Sequence, residues 1–144
     1  MIYTDLTKKA IKLCFEAHKE QVDKSGLPYV FHPFHLAEQM DDELSTICAL
    51  LHDVVEDTDM TFEKLLNVGF PIEVIDVLKL LTHEDSIPYM DYVIKISTNP
   101  IAKKVKIADL KHNSDTTRLC VIDEKAKIRC EKYKQALDFL LKSK

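Results

Sequence analysis

The chain has 144 residues, enough for one domain with a real core, and we read 1–144 as a single domain. A formal net charge of −4 excludes the broad basic face of a general nucleic-acid binder, but leaves room for a small phosphorylated ligand held by a metal and a few lysines. With only two Gly and no long β-branched runs, the composition favours a helical domain over a sheet.

Thr4 suits the N-cap of a first helix reaching about residue 21, with Ala10, Leu13, Cys14 and Ala17 recurring at helical spacing. Thr7 stands where a capping box usually has an acid, so the box reads as incomplete. Residues 22–29 carry turn chemistry, and Pro33 opens a short helix to Met40. Asp41 or Asp42 caps a central helix running unbroken to Asp57 or Thr58. Thr61 caps a short helix that Gly69 stops, and Pro71 opens another with Val74, Val77, Leu78 and Leu81 inward. Residues 88–97 form a further helix, Asn99-Pro100 begins one passing Asp109, and Asp123 caps a last one ending near Leu141. The expected fold is all-α, a compact bundle of about seven to eight helices.

The central helix carries His52-Asp53 and Glu56-Asp57 inside an apolar run. At spacings of three and four these side chains share one face, which gathers an imidazole and three carboxylates where burial is expected. Buried carboxylates resist joint ionisation, and a divalent cation would relieve them. An acidic, solvated helix end is the plainer alternative. His32 and Asp109 are the other polar residues set among apolar neighbours. Two imidazoles and two carboxylates suit Mn, Fe, Co or Zn with open positions for water, and the ligand types rule out a thiolate structural site.

The ordered motifs Lys24-Ser25-Gly26 with Pro28-Tyr29 and His32-Pro33, then residues 50–58, then Val105-Lys106-Ile107-Ala108-Asp109 with His112-Asn113, resemble those of the HD-domain metal-dependent phosphohydrolases. Most similar are the alarmone hydrolase domains of RelA/SpoT-type enzymes and their small stand-alone relatives. The resemblance implies one metal, usually Mn²⁺, held by His32, His52, Asp53 and Asp109. It implies that Glu56 and Asp57 manage the attacking water and its proton, and that Lys24, Ser25, Asn113 and Thr116 contact the nucleotide. The reaction it implies is removal of the 3′-pyrophosphate from guanosine tetra- or pentaphosphate. The family's arginines are replaced here by Asp23, Leu110 and Asp115, which leaves open another nucleotide or phosphorylated metabolite as substrate. A catalytically silent nucleotide-sensing module is the third reading. The RelA/SpoT synthetase domain would not fit in a chain of this length.

Of the remaining histidines, His18 reads as packed or surface, His35 as core or support beside the ligands, and His83 as a cap on a helix end. His112 reads as a support for the ligands or a substrate contact. Tyr89 and Tyr92 read as core, and the Lys-rich stretch from Lys125 as a solvated face. Three of the four cysteines lie in apolar helical patterns without any C-x-x-C pair, and residues 1–9 hold no signal-peptide core. No run approaches a membrane span. We therefore expect a cytoplasmic chain acting on a small nucleotide, with neither nucleic acid nor membrane as partner.

Overall fold

The computed structural model describes residues 1–144 and is all-helical, with one isolated antiparallel bridge between Val22 and Pro28. In chain order the elements are α1 (Asp5–His18), α2 (Phe31–Glu38), α3 (Glu43–Leu51), α4 (Val54–Asp57) and α5 (Phe62–Val68). Then come α6 (Ile72–Leu81), α7 (Tyr89–Ile96), α8 (Pro100–Asn113), a 3-10 turn (Thr116–Arg118) and α9 (Glu124–Lys142). Apart from the single turn α4, that makes eight helices, the expected architecture. No helix is long and apolar enough to cross a membrane.

Side-chain caps set the starts. Asp42 accepts from the Ser45 amide at 2.7 Å, Thr61 from Lys64 at 3.1 Å, and Asp123 from Ala126 at 2.8 Å. Asn99 accepts from the Ile101 and Ala102 amides, with Pro100 in the first turn where its missing N–H costs nothing. The first helix departs from expectation: Thr7 Oγ1 accepts from the Thr4 amide at 2.7 Å while Thr4 Oγ1 accepts from Thr7, so a hydroxyl closes the box. Gly69 stops α5 at φ +115°, a left-handed conformation that favours glycine.

At the centre lies α3, whose residues 45–51 are all buried, with α1, α2, α6 and α8 packed around it. From Ile47 onward such a helix is apolar on every side because protein covers every side. Leu36, Ile47, Leu50, Leu51, Ile75, Leu78 and Leu110 fill the core. Leu110 is therefore a core side chain. Cys14 and Cys48 are buried as read, whereas Cys130 is half-buried and Cys120 exposed, and all four are free thiols.

Candidate metal centre and adjoining cavities

The central helix is not continuous. It ends at Leu51, and α4 restarts at Val54 after Asp53 adopts φ −107°, ψ 0°. That bridge-region conformation is sparsely populated and recurs at functional sites. His52 Nδ1 is 2.7 Å from the Ala49 carbonyl, which can only accept, so Nδ1 carries a proton. The opposite nitrogen, Nε2, is buried and has no aligned hydrogen bond, yet lies 3.0 Å from Asp53 Oδ2 and 3.5 Å from Asp109 Oδ1. Burial opposes charge on this ring, but the Asp53 and Asp109 carboxylates outweigh it and hold its pKa well above the ordinary imidazole value, so in the metal-free protein a proton on Nε2 lies between the two acids.

Two more elements complete the cluster. From α2, His32 places Nε2 2.9 Å from Asp109 Oδ1. From α8, Asp109 reaches inward, only slightly exposed. One ligand atom from each of His32, His52 and Asp109 lies within 4.8 Å of the others, with Asp53 joined through its contact to His52. The Tyr29 hydroxyl donates to Asp53 Oδ2 and fixes that carboxylate. The cluster calls for positive charge at its centre: a proton on His52 meets that need in the metal-free protein, and two imidazoles with two carboxylates converging at these distances fit a divalent ion in its place.

His32 Nδ1 meets His112 Nδ1 at 2.7 Å, and His35 stacks on His112 with ring centroids 4.0 Å apart. Burial, together with the cationic Arg118 and the neighbouring imidazoles, pushes His112 down to about 4, so it is neutral near pH 7. When the shared proton rests on His32 Nδ1, His32 Nε2 is bare toward the cluster, as a metal-binding imidazole requires.

The charges balance locally. Burial opposes charge on both Asp109 and Lys106, but their mutual attraction prevails: Lys106 Nζ lies 2.7 Å from Asp109 Oδ2, holding the acid well below and the amine well above their ordinary values. Asn113 Nδ2 donates to Asp109 Oδ1 at 3.0 Å. Burial also favours protonation of Asp53, yet the His52 imidazole outweighs it and brings that acid down to about 2. Glu56 and Asp57 shift the other way, raised chiefly by burial and then by the negative charge of Asp53. Glu56 Oε1 accepts from the His83 amide at 3.0 Å. The Asp57 carbonyl accepts from Gln21 Nε2 at 3.1 Å, and Gln21 Oε1 is 2.7 Å from Nδ1 of the fully buried His18.

Two cavities meet here. One of about 280 Å³ is lined by Asp53, Glu56, Asp57, Asp109, Lys106 and Lys132, with His83, Tyr89 and Tyr92 on its wall. The other, about 300 Å³, is lined by Lys24, Ser25, Tyr29, Arg118, Arg129 and Cys130 among others, and the two share Asn113 and Tyr133. The sequence-derived residues thus fall into a cluster (His32, His52, Asp53, Asp109), an acidic wall (Glu56, Asp57) and a second cavity (Lys24, Ser25), with His32 also lining the second cavity and Asn113 lining both. Thr116 opens the 3-10 turn and lines neither cavity. Ser25 Oγ donates to the Arg118 carbonyl, and Asp115 caps the 3-10 turn by accepting from the Thr117 amide.

Several site residues escaped the sequence reading. Tyr89 and His83 face a cavity, although Tyr92, also on its wall, is largely buried and donates its hydroxyl to the Leu81 carbonyl at 2.7 Å. The stretch read as a solvated face supplies Arg129, Lys132 and Tyr133. Lys132 lies over the Tyr89 ring, 4.5 Å from its centroid. Lys106 alone had a local signal, its spacing of three from Asp109.

An all-helical bundle with a His-Asp pair at the end of its central helix and a second Asp from a later helix defines the HD-domain class. Within that class the chain belongs to the MESH1 family. It is 30% identical over 145 aligned positions to the guanosine-3′,5′-bis(diphosphate) 3′-pyrophosphohydrolase MESH1 of Danio rerio, covering 90% of this chain and 79% of that protein. Over 62 residues it is 44% identical to the guanosine-3′,5′-bis(diphosphate) 3′-pyrophosphohydrolase of Aquifex aeolicus, which is 40% of this chain and 9% of that protein. Over 63 residues it is 48% identical to the putative chloroplastic GTP diphosphokinase RSH1 of Oryza sativa. That match covers 40% of this chain and 7% of the rice protein, so the chain spans less than a tenth of these longer relatives. The fold matches a solved metazoan ortholog of SpoT described as hydrolysing ppGpp, with TM-score 0.78, 22% identity, and 99% of this chain and 89% of that one covered. No family model matches the chain.

Proposed function

We propose that the chain is a divalent-metal-dependent pyrophosphohydrolase that removes the 3′-pyrophosphate from guanosine tetra- and pentaphosphate. The observation that carries this reading is the junction at Asn113 and Tyr133. These two residues line both cavities: one is walled by Asp53, Asp109 and two proton-avid acids, the other by His32 and by basic and aromatic side chains, each at the lower end of ligand-pocket size. The names of the relatives at both lengths support it.

His32, His52, Asp53 and Asp109 would hold the ion, Mn²⁺ in this reading. It supplies neutralisation of phosphate charge and makes a neighbouring water more acidic. Hydrolysis forms a bond from water oxygen to the phosphorus nearest the ribose and breaks the bond from that phosphorus to O3′. A proton must leave the water and another must reach O3′. Glu56 and Asp57, which line the cavity, would carry these two transfers, and partial desolvation in its wall makes each a better proton acceptor than a carboxylate in open water. Lys132 and the Lys106–Asp109 pair set the charge that the pyrophosphate meets. Lys24 and Asn113 face the nucleoside side. The four unpaired thiols favour a reducing, cytoplasmic setting.

Metal-loaded protein incubated with guanosine tetraphosphate and a panel of other nucleotides, with products separated by chromatography, tests the reading. Pyrophosphate and guanosine 5′-diphosphate in equal amounts are expected. Turnover of another nucleotide with the tetraphosphate untouched would keep the enzyme class and discard the substrate.

A further inference from the structure

The larger cavity is lined by two carboxylates, Asp23 and Asp115, beside the cations Lys24, Arg118 and Arg129; Asp115 is taken up in capping the 3-10 turn, whereas Asp23 keeps one oxygen free. Its two oxygens are not equivalent. Oδ1 accepts from the Ser25 amide at 2.8 Å and the Leu27 amide at 3.0 Å, which shapes the turn. Oδ2 receives no hydrogen bond and faces Arg118 Nη2 at 3.8 Å, beyond hydrogen-bond reach. Arg118 is likewise divided. Its Nη1 donates to the His112 carbonyl at 2.7 Å, which anchors the guanidinium, while Nη2 makes no hydrogen bond. The cavity wall therefore presents one unspent acceptor beside one unspent donor, each held by the committed half of its own side chain.

Resting on the nucleotide reading above, we propose that Asp23 Oδ2 and Arg118 Nη2 form the edge that selects guanine: the carboxylate oxygen accepts from N1–H and the 2-amino group, and the guanidinium donates to O6. Adenine offers the opposite pattern, an acceptor at N1 and a donor at C6, and would set a lone pair against Oδ2 and an N–H against Nη2. A site built to hydrogen-bond one edge rejects the other because its own polar groups are left unpaired. The ion pair also cancels the local charge of Asp23, so the acid does not repel the substrate's phosphates from Lys24 and Arg129 nearby.

Asp23→Asn inverts the edge without breaking the turn. Both backbone amides still need an acceptor at Oδ1, which drives the new amide nitrogen to the Oδ2 position, where it donates to adenine N1 and opposes guanine N1–H. Calorimetric titration of the full chain with guanosine, inosine and adenosine 5′-diphosphates reads binding alone, since these ligands lack the 3′ group. We expect the wild type to prefer guanosine over adenosine about tenfold or more, with inosine between them, and Asp23→Asn to abolish or reverse that order. Arg118→Leu, which keeps the carbonyl that Ser25 uses, should weaken guanosine binding more than adenosine binding. An unchanged order in Asp23→Asn, equal weakening in Arg118→Leu, or a wild type indifferent to base overturns the proposal. If a wild type that is indifferent to base, or that binds none of the three, still turns over guanosine tetraphosphate, the enzymatic reading stands without the proposal; if it turns over none of the nucleotides, both fall.

Discussion

Asp109→Ala is expected to abolish stoichiometric Mn²⁺ binding and turnover together, and to destabilise the metal-free protein by about 3–5 kcal/mol. The two losses have separate causes. The carboxylate contributes Oδ1 to the donor cluster, facing His32 and His52, while Oδ2 neutralises Lys106 at 2.7 Å. Removing it leaves an almost wholly covered ammonium without its counter-charge, and a lone buried charge is among the costliest defects a core can carry. Lys106→Met in the same background should recover most of the stability in urea denaturation without recovering the metal. Asp53→Ala should lose the metal with a smaller stability loss, because its partners are His52 and a tyrosine hydroxyl. If Asp109→Ala retained one equivalent of Mn²⁺, its assignment as a ligand would be wrong.

Glu56→Gln should separate binding from chemistry. The amide keeps the side chain's shape and can still accept from the His83 amide, so metal stoichiometry should hold while kcat falls by about 10²–10⁴. The sign of the pH dependence follows from burial. A carboxylate acts as base only when deprotonated, and both Glu56 and Asp57 are raised, so wild-type turnover should decline with acidification at a higher pH than an ordinary exposed carboxylate would impose. Rates measured against pH in the wild type and in Glu56→Gln check this. Full activity in the variant would remove Glu56 from proton transfer.

Much of the fold was legible because caps and stripes are local. Thr61 and Asp123 were readable as caps from type and position, Asp41 or Asp42 as a third and Asn99-Pro100 as a helix start; Asp42 and Asn99 prove to be the caps there, and all four make the hydrogen bond that the role requires. The polar residues gathered at the cluster stood out because His32, His52, Asp53 and Asp109 interrupt apolar surroundings, and a buried charge needs a reason. The break at Asp53 was hidden. His52 takes the Ala49 carbonyl with its ring, which no periodicity reveals, and the apolar pattern continues across the gap. Glu56 and Asp57 therefore reach the cavity from a separate turn rather than one helical face.

The contribution of α9 was hidden for a different reason. Arg129, Lys132 and Tyr133 belong to a helix rich in exposed charge, and only its packing against α7 and α8 brings them to the cavities. Charge on a helix face looks the same in sequence whether it meets water or a ligand. Asp23 was misleading on its own, since its partner Arg118 lies 95 residues away and is joined to it only in the folded chain.

The central claim is that one divalent ion, held by the buried His and Asp side chains, is required for hydrolysis. Protein stripped by a chelator should be titrated with Mn²⁺ while pyrophosphate release from guanosine tetraphosphate is followed. The account predicts no release from the stripped protein, and a rise that levels off at one equivalent of metal per chain. Undiminished release from the stripped protein, or none at any metal level, would contradict it.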